Sequence, residues 1–296
     1  MALDFIYDTP NAIVLFLFIL VFLALAFIGL FIFTLFTENG FDKKLNDTNT
    51  GTYISAVATA LALITAFIIT NEYQTYNTTS LNLAREANSI YTLVEILSAF
   101  NTPESDTAIV LAIRYLCSII NVEFLLMQDG ILPPPNPCLD NLQSTVLNLT
   151  PTSDKQTVLY DKAIDQLDIA INLRNYRLEQ TVSGLPPEFY WLLIIGIAIL
   201  IVLTWFVTGD LLYRLIMMSF VTIIYSTLIF LVVILDNPFR GNFALDASVY
   251  ELTLRELGIE NCPSGGDCTM IQSNNATFLK NKVSNCHKSS TEINLL

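Results

Sequence analysis

The chain has 296 residues, of which 53% are hydrophobic and only 14% charged, well below the roughly 25% charge of an average soluble domain. Its net charge of −13 argues against nucleic acid as a partner, because that partner selects a basic surface. One histidine in the whole chain, His287, and no Gly-rich phosphate loop leave metal-dependent and His-based catalysis without support, so no enzyme is expected.

From Ala12 to Phe36 there are 25 positions without a charge. A membrane span needs roughly 20, because a helix rises about 1.5 Å per residue and the hydrocarbon core is about 30 Å thick. The preceding MALDFIYDTPN carries Asp4 and Asp8 and no base. The apolar run is also about twice the length of a signal-peptide core, so it is predicted to stay as a first span.

After a short loop, Thr37–Gly51, a second charge-free run covers Thr52–Thr70. It flows without a breaker into Asn71–Phe100. Tyr73, Tyr76, Ser80, Leu83, Ala87, Ile90, Val94 and Leu97 follow the alternating three-and-four spacing of a packed helix seam. One helix over 52–100 would be about 73 Å long. On a helical wheel Ser55, Thr59, Ala62, Ala66 and Thr70 fall within about 80° of one another. This small, mildly polar stripe admits two readings, pore lining or tight helix packing.

Thr102-Pro103-Glu104 restarts a helix: Thr102 suits the N-cap, Pro103 the first turn and Glu104 the positive helix end. Val110, Ile113, Cys117, Ile120, Phe124 and Met127 give it an apolar face, and Gly130 with Pro133-Pro134-Pro135 ends it. A further long helix is predicted over Lys155–Val182. Pro186-Pro187 opens a third span, with Tyr190 and Trp191 at the level of an interfacial aromatic belt. Phe189–Gly209 and Leu215–Leu235 are the third and fourth charge-free runs. Between them Asp210 and Arg214 are spaced to pair as a surface ion pair.

The last run closes on Asp236, Pro238, Phe239, Arg240 and Gly241. Pro238 forbids continuation of the helix. Arg240 can pair with Asp236 or reach the last helix carbonyls, satisfying groups that have no water at the membrane edge. An interfacial stop and a gate are both open readings of this motif. In the tail, Cys262, Cys268, Cys286 and His287 lie near one another in sequence. Their spacing does not match common zinc patterns, and a disulfide between two of the three cysteines is the alternative.

The predicted fold is all-α: an integral membrane protein with four transmembrane helices and a helical extramembrane domain continuous with the second span. The segments are 1–70 with the first two spans, 71–188 the domain, 189–235 a tight hairpin of spans and 236–296 an extramembrane C-terminal segment. Both termini and the domain then share one side of the membrane. That side holds all five cysteines and all but Glu38, Asp42, Asp47 and Asp210 of the 27 acids. Lys43, Lys44 and Arg214 lie close to the membrane on the other side, against Arg240 near it on the domain side and Arg85, Arg174 and Arg177 further out. The bias of bases toward the cytoplasm leans the domain to the exported side, and the cysteines lean the same way. No ionisable residue sits mid-membrane, which argues against proton-coupled transport.

The order of features resembles the bestrophin-like family of bacterial and plant membrane proteins. The matching stretches are FIITNEYQTYN with REANSIYTL, the YLCSIINVEFLLMQDG helix, the Arg174…Arg177-Leu178 helix leading to Gly184-Leu185-Pro186-Pro187, and Asp236-x-Pro238-Phe239-x-Gly241. The match covers about residues 12–250. Family members tend to have more bases in the first loop than Lys43 and Lys44, and often Asp-Glu-Trp where this chain has Val122-Glu123-Phe124.

The resemblance implies kinship to bestrophins, pentameric anion channels whose termini face the cytosol. It therefore implies a homo-oligomer, a pentamer by analogy, in a bacterial inner (cell) membrane. The partners would be the lipid bilayer, copies of the chain and small inorganic ions. Selectivity would be for chloride or bicarbonate, with no cofactor beyond a possible bound ion. The second span would line the pore and the domain would form a vestibule. The acidic face favours a cation-selective channel instead. A non-conducting scaffold or sensor, with the 73–97 seam as its interaction surface, is the reading from another class.

Overall fold

The computed structural model describes residues 9–37, 47–207, 210–259 and 262. All regular structure among them is helical: α1 (Asn11–Thr37), α2 (Asp47–Phe100), α3 (Pro103–Ser118), a π-helical turn (Ile119–Glu123), α4 (Phe124–Gln128), α5 (Pro137–Leu147), α6 (Asp154–Val182), α7 (Pro187–Trp205), α8 (Leu211–Leu235) and α9 (Ser248–Glu256). With 54 residues α2 is the longest, about 81 Å at the usual rise. It ends where Asn101 turns to a φ of 58°.

The cap predicted at Thr102 is present. Its hydroxyl accepts the Ser105 N–H at 3.2 Å, while the Ser105 hydroxyl accepts the Thr102 N–H at 3.0 Å. This reciprocal pair satisfies two N–H groups that helix geometry leaves without partners. Asn136 caps α5 in a similar way, accepting the Cys138 N–H at 3.0 Å.

The chain divides into two compact units, residues 1–77 with 183–243 and residues 78–182 with 244–296. In the first, α1 and α7 both pack on α8. Its core is apolar and includes Ala26, Leu30, Leu61, Ile68, Leu193, Ile197, Leu200, Met218, Tyr225, Ile229 and Val232. Glycine permits the close approaches: a Cβ at Gly29 would lie 2.5 Å from the Trp205 ring, and one at Gly196 2.6 Å from Leu61. Small residues play this part wherever helices pack inside lipid. The Tyr225 hydroxyl donates to the Ala58 carbonyl at 3.0 Å. The Arg214 guanidinium donates to the Trp205 carbonyl at 2.6 Å, an orphan acceptor at the end of α7. That contact takes the place of the expected Asp210–Arg214 ion pair.

In the second unit α3 packs on α5, and α9 lies against α3 and the π turn. Leu83, Ala87, Ile90, Val94 and Leu97 are buried there, whereas Tyr73 is exposed. The seam predicted from residue 73 thus becomes a core stripe only from Leu83 onward.

Among the described residues, five helical segments are long and apolar enough to cross a membrane: Asn11–Leu35, Gly51–Phe100, Pro103–Gln128, Pro187–Trp205 and Leu211–Leu235. They are not alike in burial. Pro103–Gln128 has 61% of its most apolar window buried, against 17–39% for the other four. Its apolar side chains, including Ile109, Leu111, Ile113 and Leu116, form the centre of the second unit. More of the apolar surface of this helix is covered by its own unit than in the other four.

Cys262 is disulfide-bonded to Cys117 on α3, 145 residues away, and Cys138 is also disulfide-bonded. Cys262 therefore does not pair within the tail. Cys268, Cys286 and His287 lie outside the described residues.

Candidate functional site

The stripe predicted on the second span runs along one face of α2. Ser55, Thr59, Ala62, Ala66 and Thr70 are all exposed in the single chain, while Leu61, Thr65 and Ile68 are buried on the opposite face. A 3.6-residue repeat places these two sets on opposite sides. The exposed face holds a shallow concavity lined by Gly51, Thr52, Ser55, Ala56, Thr59, Ala60 and Leu63. It brings Ser55 and Thr59 together, while Ala62, Ala66 and Thr70 continue the face beyond it. The Thr59 hydroxyl donates to the Ser55 carbonyl at 2.8 Å and the Thr70 hydroxyl to the Ala66 carbonyl at 2.8 Å. Each hydroxyl has one proton and two lone pairs. With the proton spent within the helix, lone pairs are what the face presents. The stripe is flanked by Leu63 and Phe67, both largely exposed.

The motif after α8 forms a compact turn. Asp236 ends the helix, its N–H bonded to the Val232 carbonyl. The Arg240 N–H closes a turn onto the Asn237 carbonyl at 3.3 Å, with Pro238 in the second position that its fixed φ suits. Gly241 follows with φ 83°, a conformation glycine adopts without a Cβ clash. Phe239 is 1% exposed and Pro238 is buried, so the turn is anchored from below.

The Asp236 carboxylate accepts the Leu185 N–H and bonds from Tyr190 and the Asn237 amide. It thereby ties the start of α7 to the end of α8. Burial raises its carboxyl above the ordinary value, against the lowering effect of the Leu185 and Tyr190 bonds. A Cβ at Gly184 would stand 3.1 Å from this carboxylate, so the Gly184-Leu185 step suits the contact.

A third constellation, not anticipated as a unit, lies inside the second unit. Arg177 of α6 is fully buried and donates to Glu86 of α2 through Nε at 2.9 Å and Nη2 at 3.0 Å, and to Glu123 of the π turn at 2.7 Å. Its third nitrogen meets the Met127 sulfur at 3.3 Å. Arg174, one helical turn earlier, donates to Glu123 at 2.9 Å. The hydroxyls of Tyr115 and Tyr250 donate to Glu86 at 2.8 Å and 2.7 Å, and the Asn136 amide to Glu123 at 2.8 Å.

Two guanidiniums face two carboxylates, so the buried set is neutral. Burial alone would raise the Glu123 carboxyl, but Arg177 and Arg174 outweigh it and hold that group below the ordinary carboxylate range. The π turn inserts an extra residue into the helical path and carries Glu123 between the two arginines. Every member is either ionised and paired or a donor with an acceptor. No nucleophile is left poised beside a base, and the arrangement is a clamp joining α2, α3, the π turn, α6 and α9. Among the described residues no group of three or more His, Cys, Asp and Glu side chains is placed to hold a metal ion.

A family model described as the Bestrophin-like domain matches residues 20–250. No curated protein matches the chain. Among solved structures, a single-substitution variant of a bacterial bestrophin homologue from Klebsiella pneumoniae aligns with a TM-score of 0.62 at 15% identity, covering 81% of this chain and 98% of that one. A second variant of that homologue aligns with a TM-score of 0.60 at 15% identity over 81% and 98%. A structure titled only as a membrane protein variant gives 0.63 at 15% identity over 83% and 99%. At this identity the likeness is one of fold.

Proposed function

The chain belongs to the bestrophin-like family, and from that premise we propose that it is a homo-oligomeric ion channel with no catalytic step. In this reading four helices cross the bilayer, α1, the first part of α2, α7 and α8, while 71–188 and 236–296 lie outside it. Copies associate around an axis, and a pentamer follows by kinship. The face of α2 bearing Ser55, Thr59, Ala62, Ala66 and Thr70 lines the pore.

One observation carries the proposal. This face is exposed in the single chain while the opposite face of α2 is buried by its own bundle. Lipid gains little from a stripe of alanine and hydroxyl side chains, whereas a water-filled path is stabilised by them. The turn at Asp236–Gly241 acts as the interfacial stop that fixes where α8 leaves the membrane.

Kinship favours a small anion, chloride or bicarbonate. A cation is the second reading, favoured by the lone pairs that Thr59 and Thr70 present and by the net charge of −13. The scaffold reading loses its surface, since Leu83 to Leu97 of the seam is buried within the second unit. The test is Thr59→Leu and Ala66→Leu in reconstituted protein. Both should change unitary conductance with oligomer size unaltered, and unchanged conductance in both would remove α2 from the pore.

A further inference from the structure

The disulfides say something about the compartment that neither the family nor the fold supplies. Cys117, Cys138 and Cys262 are each disulfide-bonded, and all three belong to the second unit. Cys117 and Cys138 are 7% and 2% exposed. The Cys117–Cys262 bond joins residues 145 apart, with Cα atoms at 5.6 Å, within the span a disulfide bridges. Cys262 lies just beyond α9, which ends at Glu256, so the bond fastens the chain after α9 to α3.

Bonds of this kind persist in oxidising compartments and are rare where glutathione and thioredoxin keep thiols reduced. The remaining two cysteines, 268 and 286, follow Cys262 in the sequence, and the charge-free runs and the short segments between the paired runs contain none. A separate signal agrees. In sequence, Lys43 and Lys44 fall between the first two charge-free runs and Arg214 just before the fourth, and bases next to span ends on the short-loop side favour that side as cytoplasmic.

We infer that the second unit faces an oxidising, extracytoplasmic compartment, where the Cys117–Cys262 bond straps the C-terminal segment to the helical core. This is the reverse of the cytosolic placement that kinship to bestrophins implies, and it does not depend on the channel reading. Formation of the strap converts two thiols to one disulfide with release of two protons and two electrons. The electrons pass by thiol–disulfide exchange to an oxidised protein dithiol catalyst of that compartment, which leaves as its dithiol.

The chain carries its own reporter. Asn148-Leu149-Thr150 at the end of α5 is a glycan acceptor sequence whose Asn148 and Thr150 are exposed while Leu149 is buried. The full chain is translated into sealed microsomes, whose lumen corresponds to the exported side. The expected result is an endoglycosidase-sensitive mass shift, smaller by one step in Asn148→Gln, with the second unit protected from added protease. An unshifted second unit digested by that protease would overturn the placement.

The strap is read separately in cells of the expression host. The protein is denatured without reductant, and a polyethylene-glycol maleimide is applied to one sample before reduction and to another after it. Cys117 should be labelled only after reduction, and Cys262→Ser should release one additional label before it. Labelling of Cys117 in the wild type before reduction would overturn the strap.

Discussion

Replacing Arg177 by methionine isolates the energetics of the buried clamp. Methionine keeps the length and apolar volume of the stem but removes the charge. In the native arrangement Arg177 makes ion pairs of 2.9 Å to Glu86 and 2.7 Å to Glu123, with all three side chains 0–3% exposed. Without it, Glu123 keeps Arg174 and Asn136, while Glu86 keeps only the hydroxyls of Tyr115 and Tyr250. The buried charge then falls from zero to one net negative.

Breaking one partner out of a buried pair costs about 3–5 kcal/mol, because the remaining charge is desolvated without compensation. That is a large share of a typical total stability of about 5–15 kcal/mol. Thermal and denaturant unfolding of purified protein, followed by circular dichroism, reads the loss. The double variant Glu86→Gln with Arg177→Met should recover a substantial part, since it removes the orphaned charge and leaves an amide oxygen for the two tyrosines. The reasoning is refuted if Arg177→Met stays within about 1 kcal/mol of wild type, or if the two substitutions simply add.

Acid should weaken the same clamp. The Glu123 carboxyl is held below the ordinary range in the folded protein, so its contribution is complete above its unfolded pKa of about 4.3 and is lost as pH falls through the folded value. A pH series of unfolding midpoints should therefore slope downward below about pH 4.3, and Glu123→Gln should flatten that slope. Gly29→Ala places a Cβ against the Trp205 ring, 2.5 Å away before any movement. It should cost about 1–3 kcal/mol in detergent stability, and a neutral result would mean that α1 and α7 have room to separate. Cys262→Ser, which opens a loop of 145 residues, should lower the unfolding stability of the oxidised protein by about 2–5 kcal/mol and leave the reduced protein nearly unchanged.

The long apolar helices were legible because absence of charge over 19 or more positions is a signal carried by each residue in turn. Thr102-Pro103 was legible because a cap is local: Thr102 and Ser105 are three residues apart. Contacts between distant segments were not. Cys262 reads in sequence as a neighbour of Cys268, and only the folded chain brings it to Cys117. Arg177 meets Glu86 across 91 residues and Glu123 across 54.

A faint signal for the clamp did exist. Glu86 lies within about a turn of Leu83 and Ile90 on the apolar stripe of α2, and Arg174 and Arg177 lie between Ile171 and Leu178 on α6. Charges set on apolar stripes of two helices ask for each other as partners. The greater burial of Pro103–Gln128 than of the other four long apolar helices was not available from hydropathy, because a buried core helix and a span can share a composition. For the α2 stripe, the wheel gave the angular grouping, but which side the bundle buries depends on how α7 and α8 pack.

The most direct measurement is planar-bilayer recording of purified, folded oligomer with a KCl gradient across the membrane. The account predicts single-channel currents, with a reversal potential near chloride equilibrium if kinship sets selectivity. A value near potassium equilibrium would mean that the lone pairs and acids set it. No current in any salt, from protein shown to be folded and oligomeric, would contradict the channel itself.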